Sequence, residues 1–357
     1  MASLRFQADA LLAVATRIFS AVGAPDDVAA LVAGALVTAN LMGHDSHGVL
    51  RVPEYVRAVR GGGVDVRAQP RVVSVRGATA LVSGEWAFGQ LTGGAAMREA
   101  VRLAGEYGVG MAAAVRCAHL GRVGEYVEQA AARGCVGMVW VGGLNQVAVP
   151  FRGARRALGT NPMAVGFPVD EAHPVVLDFA TTSVAAGKIS AARAAGRAVT
   201  PGWIIDREGQ PTTDPLAFYD GGALLPFAGH KGYALSVMVD LLGQALTGAD
   251  APPGSRLDRD GTADQRRSGA LFCAVELGAF RPADEAIASA QRTLNRLRSV
   301  PPREGFDRVL TPGQPEALAT AERSRTGIEV AEATWRAICE TALAAGLSRD
   351  DLPAPVP

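Results

Sequence analysis

Lysine is almost missing from this chain: Lys188 and Lys231 stand alone against 33 arginines. Excess charge of either sign is missing too, since 35 basic side chains balance 35 acidic ones. That balance removes any general electrostatic case for a nucleic acid or an anionic membrane surface as partner. No apolar run reaches the roughly 18 residues that a membrane-spanning helix needs. The first residues lack a basic segment leading into a signal-type core. The four cysteines, Cys117, Cys135, Cys273 and Cys339, are far apart. They read as reduced thiols of a cytoplasmic, soluble protein, not as a disulfide frame or a zinc site. Histidine is scarce as well, at five. His44 and His47 have the spacing of half a metal site, but no HExxH or Cys/His grouping completes a shell, so no metal is expected.

The two surviving lysines read either as chance survivors on the surface or as positions where a compact, rotatable ammonium serves better than a planar guanidinium. Both lie beside glycines, in Gly187-Lys188-Ile189 and Gly229-His230-Lys231-Gly232, where a backbone can approach a ligand closely.

At 357 residues the chain can bury a large core and make two or three domains. Apolar residues recur at helical spacing from Leu11 to Phe19, and Pro25 with Asp26 and Asp27 opens a second helix. Gly61-Gly62-Gly63 ends this helical region. A hairpin is expected over 72–82, turning at Arg76-Gly77, then a helix over 89–107 and a strand over 109–115. A helix around 122–133, strands at 136–141 and 175–179, and helices at 233–246, 284–297 and 331–345 follow. Strands alternating with helices mark an α/β fold. Residues 252–267 are polar and rich in Gly, Asp and Arg, which suggests a mobile loop, and the Pro-rich tail from Leu352 has no means of ordering itself.

The densest polar cluster in an apolar setting is His44-Asp45-Ser46-His47-Gly48-Val49-Leu50-Arg51. As a continuous helix it would place Ser46 with Leu50, and His47 with Arg51, on shared faces. A histidine can give or take the proton that accompanies hydride transfer to a carbonyl or imine, with a serine to orient it. An arginine fork suits a substrate carboxylate. A capped helix end with exposed histidines explains the same residues equally well.

The segment His119-Leu120-Gly121-Arg122-Val123 lies between a strand and a helix, where N–H groups at a helix start can hold phosphate. It could equally be an ordinary strand-to-helix turn. Gly108-x-Gly110 just before it follows a helix and opens a strand, the reverse of a dinucleotide fingerprint. Gly159-Thr160-Asn161-Pro162 is a turn whose side chains either reach a ligand or close the turn. Asp178-Phe179-Ala180 ends an apolar strand with a carboxylate that can bind a ribose or amide, or cap the next helix.

In this order the motifs resemble the malate/L-lactate dehydrogenase family, which includes ureidoglycolate and sulfolactate dehydrogenases, diketogulonate reductase and Δ1-piperideine-2-carboxylate reductase. The matching residues are His44-Asp45-Ser46-His47-Gly48 with Arg51, Pro53 and Tyr55, then His119-x-Gly121, Gly159-Thr160-Asn161-Pro162 and Asp178-x-Ala180. Gly187-Lys188-Ile189, Asp206-x-x-Gly209, Asp214-Pro215, Gly229-His230-Lys231-Gly232 and Pro312-Gly313 continue the series.

The resemblance implies a non-Rossmann α/β fold that binds NAD or NADP, with a helical dimerisation region and a homodimer. Three regions follow: 1–72, joined by 314–357; 73–250, holding cofactor and catalysis; and 251–313, with the loop and the remaining elements. It implies hydride transfer at C2 of a small 2-keto or 2-hydroxy acid, or a cyclic 2-imino acid. His47 becomes the proton donor and acceptor, Ser46 its partner and Arg51 the carboxylate clamp. Thr160 and Lys188 sit near substrate. His119, Leu120, Gly121, Arg122, Val123, Asp178, Phe179, Ala180, His230 and Lys231 line the cofactor. His119 competes with His47 for the acid/base role, because some family members assign it there.

The chain departs from the family at Ala118 and Leu120, where Asn and Phe are common, at Arg152-Gly153, and at Glu276-Leu277-Gly278. The rival readings are a metal-dependent hydrolase or lyase built on His44, His47 and His119, and a cofactor-binding protein without turnover.

Overall fold

The computed structural model describes residues 3–143, 146–169, 174–194, 196–249 and 268–356. The loop expected over 252–267 lies outside the described residues. Strand β1 (Ser3–Phe6) is followed by helices α1 (Ala8–Ala21) and α2 (Asp26–Leu41). α1 buries Leu11, Val14, Ala15, Ile18 and Phe19, the stripe its periodicity defines. α2 starts directly after Pro25, whose φ of −54° is set for helix and whose missing N–H leaves no donor unsatisfied. Two single 3₁₀ turns lead into α3 (Val52–Arg60), which stops at Gly61.

The hairpin β2 (Arg71–Arg76) and β3 (Thr79–Ser83) precedes α4 (Gly89–Tyr107), β4 (Val109–Val115), α5 (Gly124–Ala131) and β5 (Cys135–Gly142). Strands β6 (Pro162–Phe167) and β7 (Val175–Ala180) then lead to α6 (Ala186–Ala194). Three two-residue strands, β8 (Ile204–Ile205), β9 (Pro211–Thr212) and β10 (Ala223–Leu224), surround the short helix α7 (Pro215–Tyr219). The chain continues through α8 (His230–Asp240), β11 (Gly269–Glu276), α9 (Ala283–Arg298), α10 (Gln314–Thr326), β12 (Ile328–Ala331) and α11 (Glu332–Ala344).

The main sheet has the order β2-β3-β4-β11-β5-β6-β7. Among the described residues β3–β4 is its one parallel pair, and the other neighbours run antiparallel. A doubly wound nucleotide-binding sheet needs parallel strands joined by crossover helices; this sheet has neither the order nor the polarity. β11, from the stretch set apart at 251–313 by sequence, lies at its centre. Helix α5 packs on the face that Gly137 and Gly166 leave open, against Val127. Gly142 faces Asp240 of α8 instead, so α5 and α8 cover opposite faces, as strand alternation requires.

A second core joins the two ends of the chain. Phe6, Ile18, Phe19, Val32 and Leu36 pack with Ile328, Val330, Ile338 and Ala342. β1 pairs antiparallel with β12, Phe6 opposite Ile328, and Trp335 lies 4.2 Å from the Phe6 ring. The tail is ordered by this ribbon: the Val356 N–H donates to the Arg5 carbonyl at 2.7 Å. A third, smaller cluster gathers Ile189, Ile204, Phe218 and Leu224 around the short strands.

Two helical expectations need correction. The helix expected over 233–246 begins earlier, at His230, and ends in a π turn over Leu241–Ala245. Gly232, inside this helix, is a packing site, since a Cβ there would stand 1.9 Å from the Phe227 carbonyl oxygen. The His44–Arg51 cluster is not one helix: Gly48, at φ −86° and ψ −157°, separates two 3₁₀ turns, so the shared faces expected at i,i+4 do not form.

Gly108 and Gly110, which imitate a fingerprint, have structural reasons. Gly108 ends α4 at φ +79°. A Cβ on Gly110 would lie 2.1 Å from the Ala100 carbonyl oxygen, where α4 crosses β4. Gly110→Ala is expected to lower the unfolding free energy by about 1–3 kcal/mol, measured by urea denaturation with the denaturant slope unchanged.

Candidate active site

The turn carrying His47 hangs from a buried amide. Asn40, in the last turn of α2, is 3% exposed. Its Oδ1 accepts the Val49 N–H at 2.8 Å, and its Nδ2 donates to Asp45 Oδ1 at 2.7 Å. Gly48 lets that amide pass: a Cβ there would lie 2.2 Å from Asn40 Oδ1. From α10, Arg323 closes a fork on Asp45, NH1 to Oδ1 at 2.6 Å and NH2 to Oδ2 at 3.1 Å. Both sides of the turn are thus tied before any catalytic side chain is placed.

Ser46 Oγ lies 3.0 Å from His47 Nδ1. Arg51 folds back, its Nε donating to the Ser46 carbonyl at 2.8 Å and its NH1 to Glu54 at 2.5 Å. His119, on the loop after β4, stacks on His47 with ring centroids 5.6 Å apart and planes 8° apart. His119 Nδ1 is 2.9 Å from Tyr55 Oη, which accepts from Gln90 Nε2 at 3.0 Å. α6 closes in as well, since a Cβ on Gly187 would lie 2.9 Å from the Ser46 Cβ, so Lys188 begins beside the turn. Ser46, His47, Arg51 and His119 therefore belong to one place, and the backbone just before Lys188 runs beside it.

The remaining expected residues take less direct positions. Asp178 caps a helix, but an earlier one than expected: its Oδ2 accepts the Gly124 N–H at the start of α5, at 2.8 Å. That carboxylate occupies the helix start where a phosphate was considered. Burial pushes the Asp178 carboxyl up, against the lowering pull of the Gly124 bond and of His44 and Arg122. Arg122 is buried and forks onto Glu128. Phe179 meets Phe227 edge to face, with centroids 5.4 Å apart. Leu120 and Val123 are core residues, with Gly121 between them at φ +74°.

Asn161 turns inward, toward α8. It is fully buried at φ +40° and donates to the Ser236 carbonyl and to Asp240 Oδ1. Thr160 contributes its carbonyl to the Thr181 N–H and hydroxyl. His230 and Lys231 form the exposed first turn of α8, and Phe151 meets the His230 ring at 5.9 Å.

His44 points away from its neighbours, with Nε2 3.4 Å from Glu316 Oε1. Glu316 and Glu128 both line a cavity of about 1070 Å³ with Val176, Ala131, Ile287 and Ala317. Two of its lining carboxylates have partners nearby: Glu316 faces His44 of the turn, and Glu128 faces Arg122 after the His119 loop. Among the described residues, no three His, Cys, Asp or Glu side chains converge as a metal shell. None of the described helices is long and apolar enough to cross a membrane.

The electrostatics are dominated by burial. Desolvation, then the neighbouring His119 and Arg51, lower the His47 pKa from 6.5 to about 3. Desolvation and Arg51 do the same to His119, also to about 3. Burial raises the Glu125 carboxyl, in the first turn of α5, to about 7.

The malate/L-lactate dehydrogenase family matches residues 6–339. The chain belongs to this family. Hydroxycarboxylate dehydrogenase B of Escherichia coli K12 is 34% identical over 98% of this chain and 97% of that protein. The solved malate dehydrogenase of Pyrococcus horikoshii superposes with a TM-score of 0.85 at 30% identity, covering 97% of each chain. The Δ1-piperideine-2-carboxylate reductase of Pseudomonas syringae gives a TM-score of 0.79 at 32% identity, covering 94% of this chain and 99% of that one. As a member of this family the chain is a nicotinamide-dependent dehydrogenase. Nothing in these likenesses favours the hydrolase alternative.

Burial holds His47 and His119 neutral at pH 7, and stability must respond to pH. With a pKa near 6.5 unfolded and about 3 folded, each takes up a proton more readily in the unfolded chain. Their contribution is intact above pH 6.5 and declines as the pH falls toward 3. Glu125 and Asp178, raised in the folded state, act in the opposite direction. A His47→Asn/His119→Asn variant therefore isolates the histidine share. Between pH 7.5 and 4.5 its melting temperature is expected to fall by less than that of the wild type.

Proposed function

We propose that this dehydrogenase transfers hydride to or from C2 of a small 2-keto or 2-hydroxy acid, or a cyclic 2-imino acid, with His47 exchanging the proton. The observation that carries the reading is the joint placement of Ser46, His47 and Arg51 on one doubly tied turn. The residues present fit a nicotinamide dinucleotide. Beside the His119 loop the cavity offers apolar walls for a flat base and the carboxylates of Glu128 and Glu316 for ribose hydroxyls. His119 to Val123, Asp178 to Ala180, His230 and Lys231 border the same region in this proposal, with NAD and NADP both admitted. The bound cofactor supplies or accepts the hydride.

The chain's own groups do the rest. Arg51 holds the substrate carboxylate, with Thr160 and Lys188 beside it. Glu54 is half exposed on one edge of the guanidinium, so an incoming carboxylate displaces it at small cost. An anion at Arg51 offsets one of the charges that keep His47 deprotonated, so substrate binding raises the proton affinity of the imidazole. In the oxidising direction the neutral His47 is ready to take the hydroxyl proton. In the reducing direction it must first be protonated. Ser46 holds His47 Nδ1 and fixes the ring plane.

We also propose a homodimer, supported by the outer face of α8 and its π turn. Met238, Leu241 and Leu246 are exposed there by 52%, 48% and 65%, an apolar stripe suited to burial against a second copy. The four free thiols suit a reducing cytoplasm. Sedimentation equilibrium is expected to show a dimer, and Met238→Glu/Leu241→Glu to shift it toward monomer. A monomeric wild type would remove the proposal.

The direct assay follows NADH and NADPH oxidation at 340 nm with a panel of 2-keto acids and cyclic 2-imino acids. His47→Ala is expected to lower turnover about a hundredfold or more while cofactor binding persists. Arg51→Lys mainly raises the substrate KM, because an ammonium cannot reproduce the fork. Unchanged turnover in His47→Ala would take that residue out of the mechanism.

A further inference from the structure

Tyr55 and Gln90 have no part in the proposed reaction, yet both are buried: Tyr55 is 5% exposed and Gln90 2%. A buried hydroxyl–amide–imidazole chain has a direction, because each hydrogen can be given only once. Gln90 Nε2 donates to Tyr55 Oη at 3.0 Å. The phenol has one hydrogen, and its other neighbour is His119 Nδ1 at 2.9 Å. Were the phenol oxygen to accept from His119 as well, its own hydrogen would be buried unpaired, so Tyr55 donates to His119 and Nδ1 accepts. The reverse amide orientation is worse: Gln90 Oε1 is buried without a partner, and swapping the two atoms would bury an NH2 there with two donors unpaired. Burial also holds the phenol in its protonated form.

We infer that Gln90 and Tyr55 are positioning residues that lock His119 as the neutral Nε2–H tautomer, making it a fixed hydrogen-bond donor and leaving His47 as the group that moves the proton. A histidine with Nε2–H committed and Nδ1 occupied has no lone pair facing the site, so it cannot take a proton there. Its Nε2–H serves an oxygen acceptor beside His47, either the oxygen at the substrate C2 or the carboxamide oxygen of the nicotinamide. Such a donor, set before the reaction, costs no reorganisation as charge develops on that oxygen. The inference rests on the proposed function for the ligand's identity, while the tautomer itself is a property of the protein alone.

Long-range ¹H–¹⁵N correlation spectra of the ¹⁵N-histidine-labelled wild type, assigned with His119→Gln, read the tautomer without any ligand. The expected result at pH 7 is a protonated Nε2 and a bare, hydrogen-bonded Nδ1 at His119. In Tyr55→Phe, Nδ1 loses its donor, and the Nδ1–H form is expected to appear. A wild-type His119 that is already Nδ1–H, or that titrates as an imidazolium between pH 6 and 8, overturns the inference.

Kinetics supply the second readout. The amide of His119→Gln can still donate, so it is expected to recover at least tenfold of the turnover lost in His119→Ala. His47→Gln recovers nothing over His47→Ala. Equal losses in His119→Gln and His119→Ala would also overturn the inference. Weaker NADH binding by fluorescence titration in His119→Ala assigns the acceptor to the cofactor; unchanged binding with lowered turnover assigns it to the substrate. The expected tautomer without nicotinamide-linked turnover would count against the proposed function and leave the lock standing.

Discussion

The side-chain amide of Asn40 is the contact on which the site depends. It offers one acceptor and one donor to opposite sides of the same turn, to the Val49 N–H and the Asp45 carboxylate, from a helix end with almost no solvent contact. Burying an amide is costly unless it is hydrogen-bonded. Here the cost is offset only in the geometry that presents Ser46 and His47 together. The missing side chain of Gly48 permits that geometry, and Arg323 reinforces it from a distant part of the chain. A 3₁₀ turn alone would be too short to hold a catalytic side chain to fractions of an ångström.

From that anchor follows an unusual electrostatic state. Two stacked imidazoles and a guanidinium share a partly dry space, and like charges there are expensive. The histidines respond by staying neutral. In the proposed reaction their neutrality separates two jobs that an isolated histidine can exchange freely, with one ring free to gain a proton and the other tied through Tyr55. There an anionic substrate would complete the charge balance and join binding to protonation.

Much of this was legible in the sequence because it is local. The helix over 89–107 and the strand over 109–115 were readable because Gly108 at φ +79° divides them. Ser46, His47, Arg51 and His119 stood out as polar residues in apolar surroundings. Other features were invisible for a physical reason. Asn40 and Gln90 look like ordinary polar residues within helices, and Arg323 is one arginine among 33. Their meaning comes from tertiary approach, which no spacing encodes. The four-residue strands β1 and β12 are too short to announce themselves and exist because they pair with each other. Asn161 left two readings open, a ligand contact or closure of its turn, and only the approach of α8 decides for the second: its side chain ties the turn to α8 from inside.

The pairing of the two chain ends has a temporal meaning. α1 and α2 leave the ribosome well before β12 and α11, with much of their apolar surface uncovered. Their covering, and the arginine that clamps Asp45, follow only after every strand of the main sheet has been made. The turn that carries His47 therefore goes without its clamp through most of synthesis, and a chain cut short ahead of α10 holds the His47 motif unclamped.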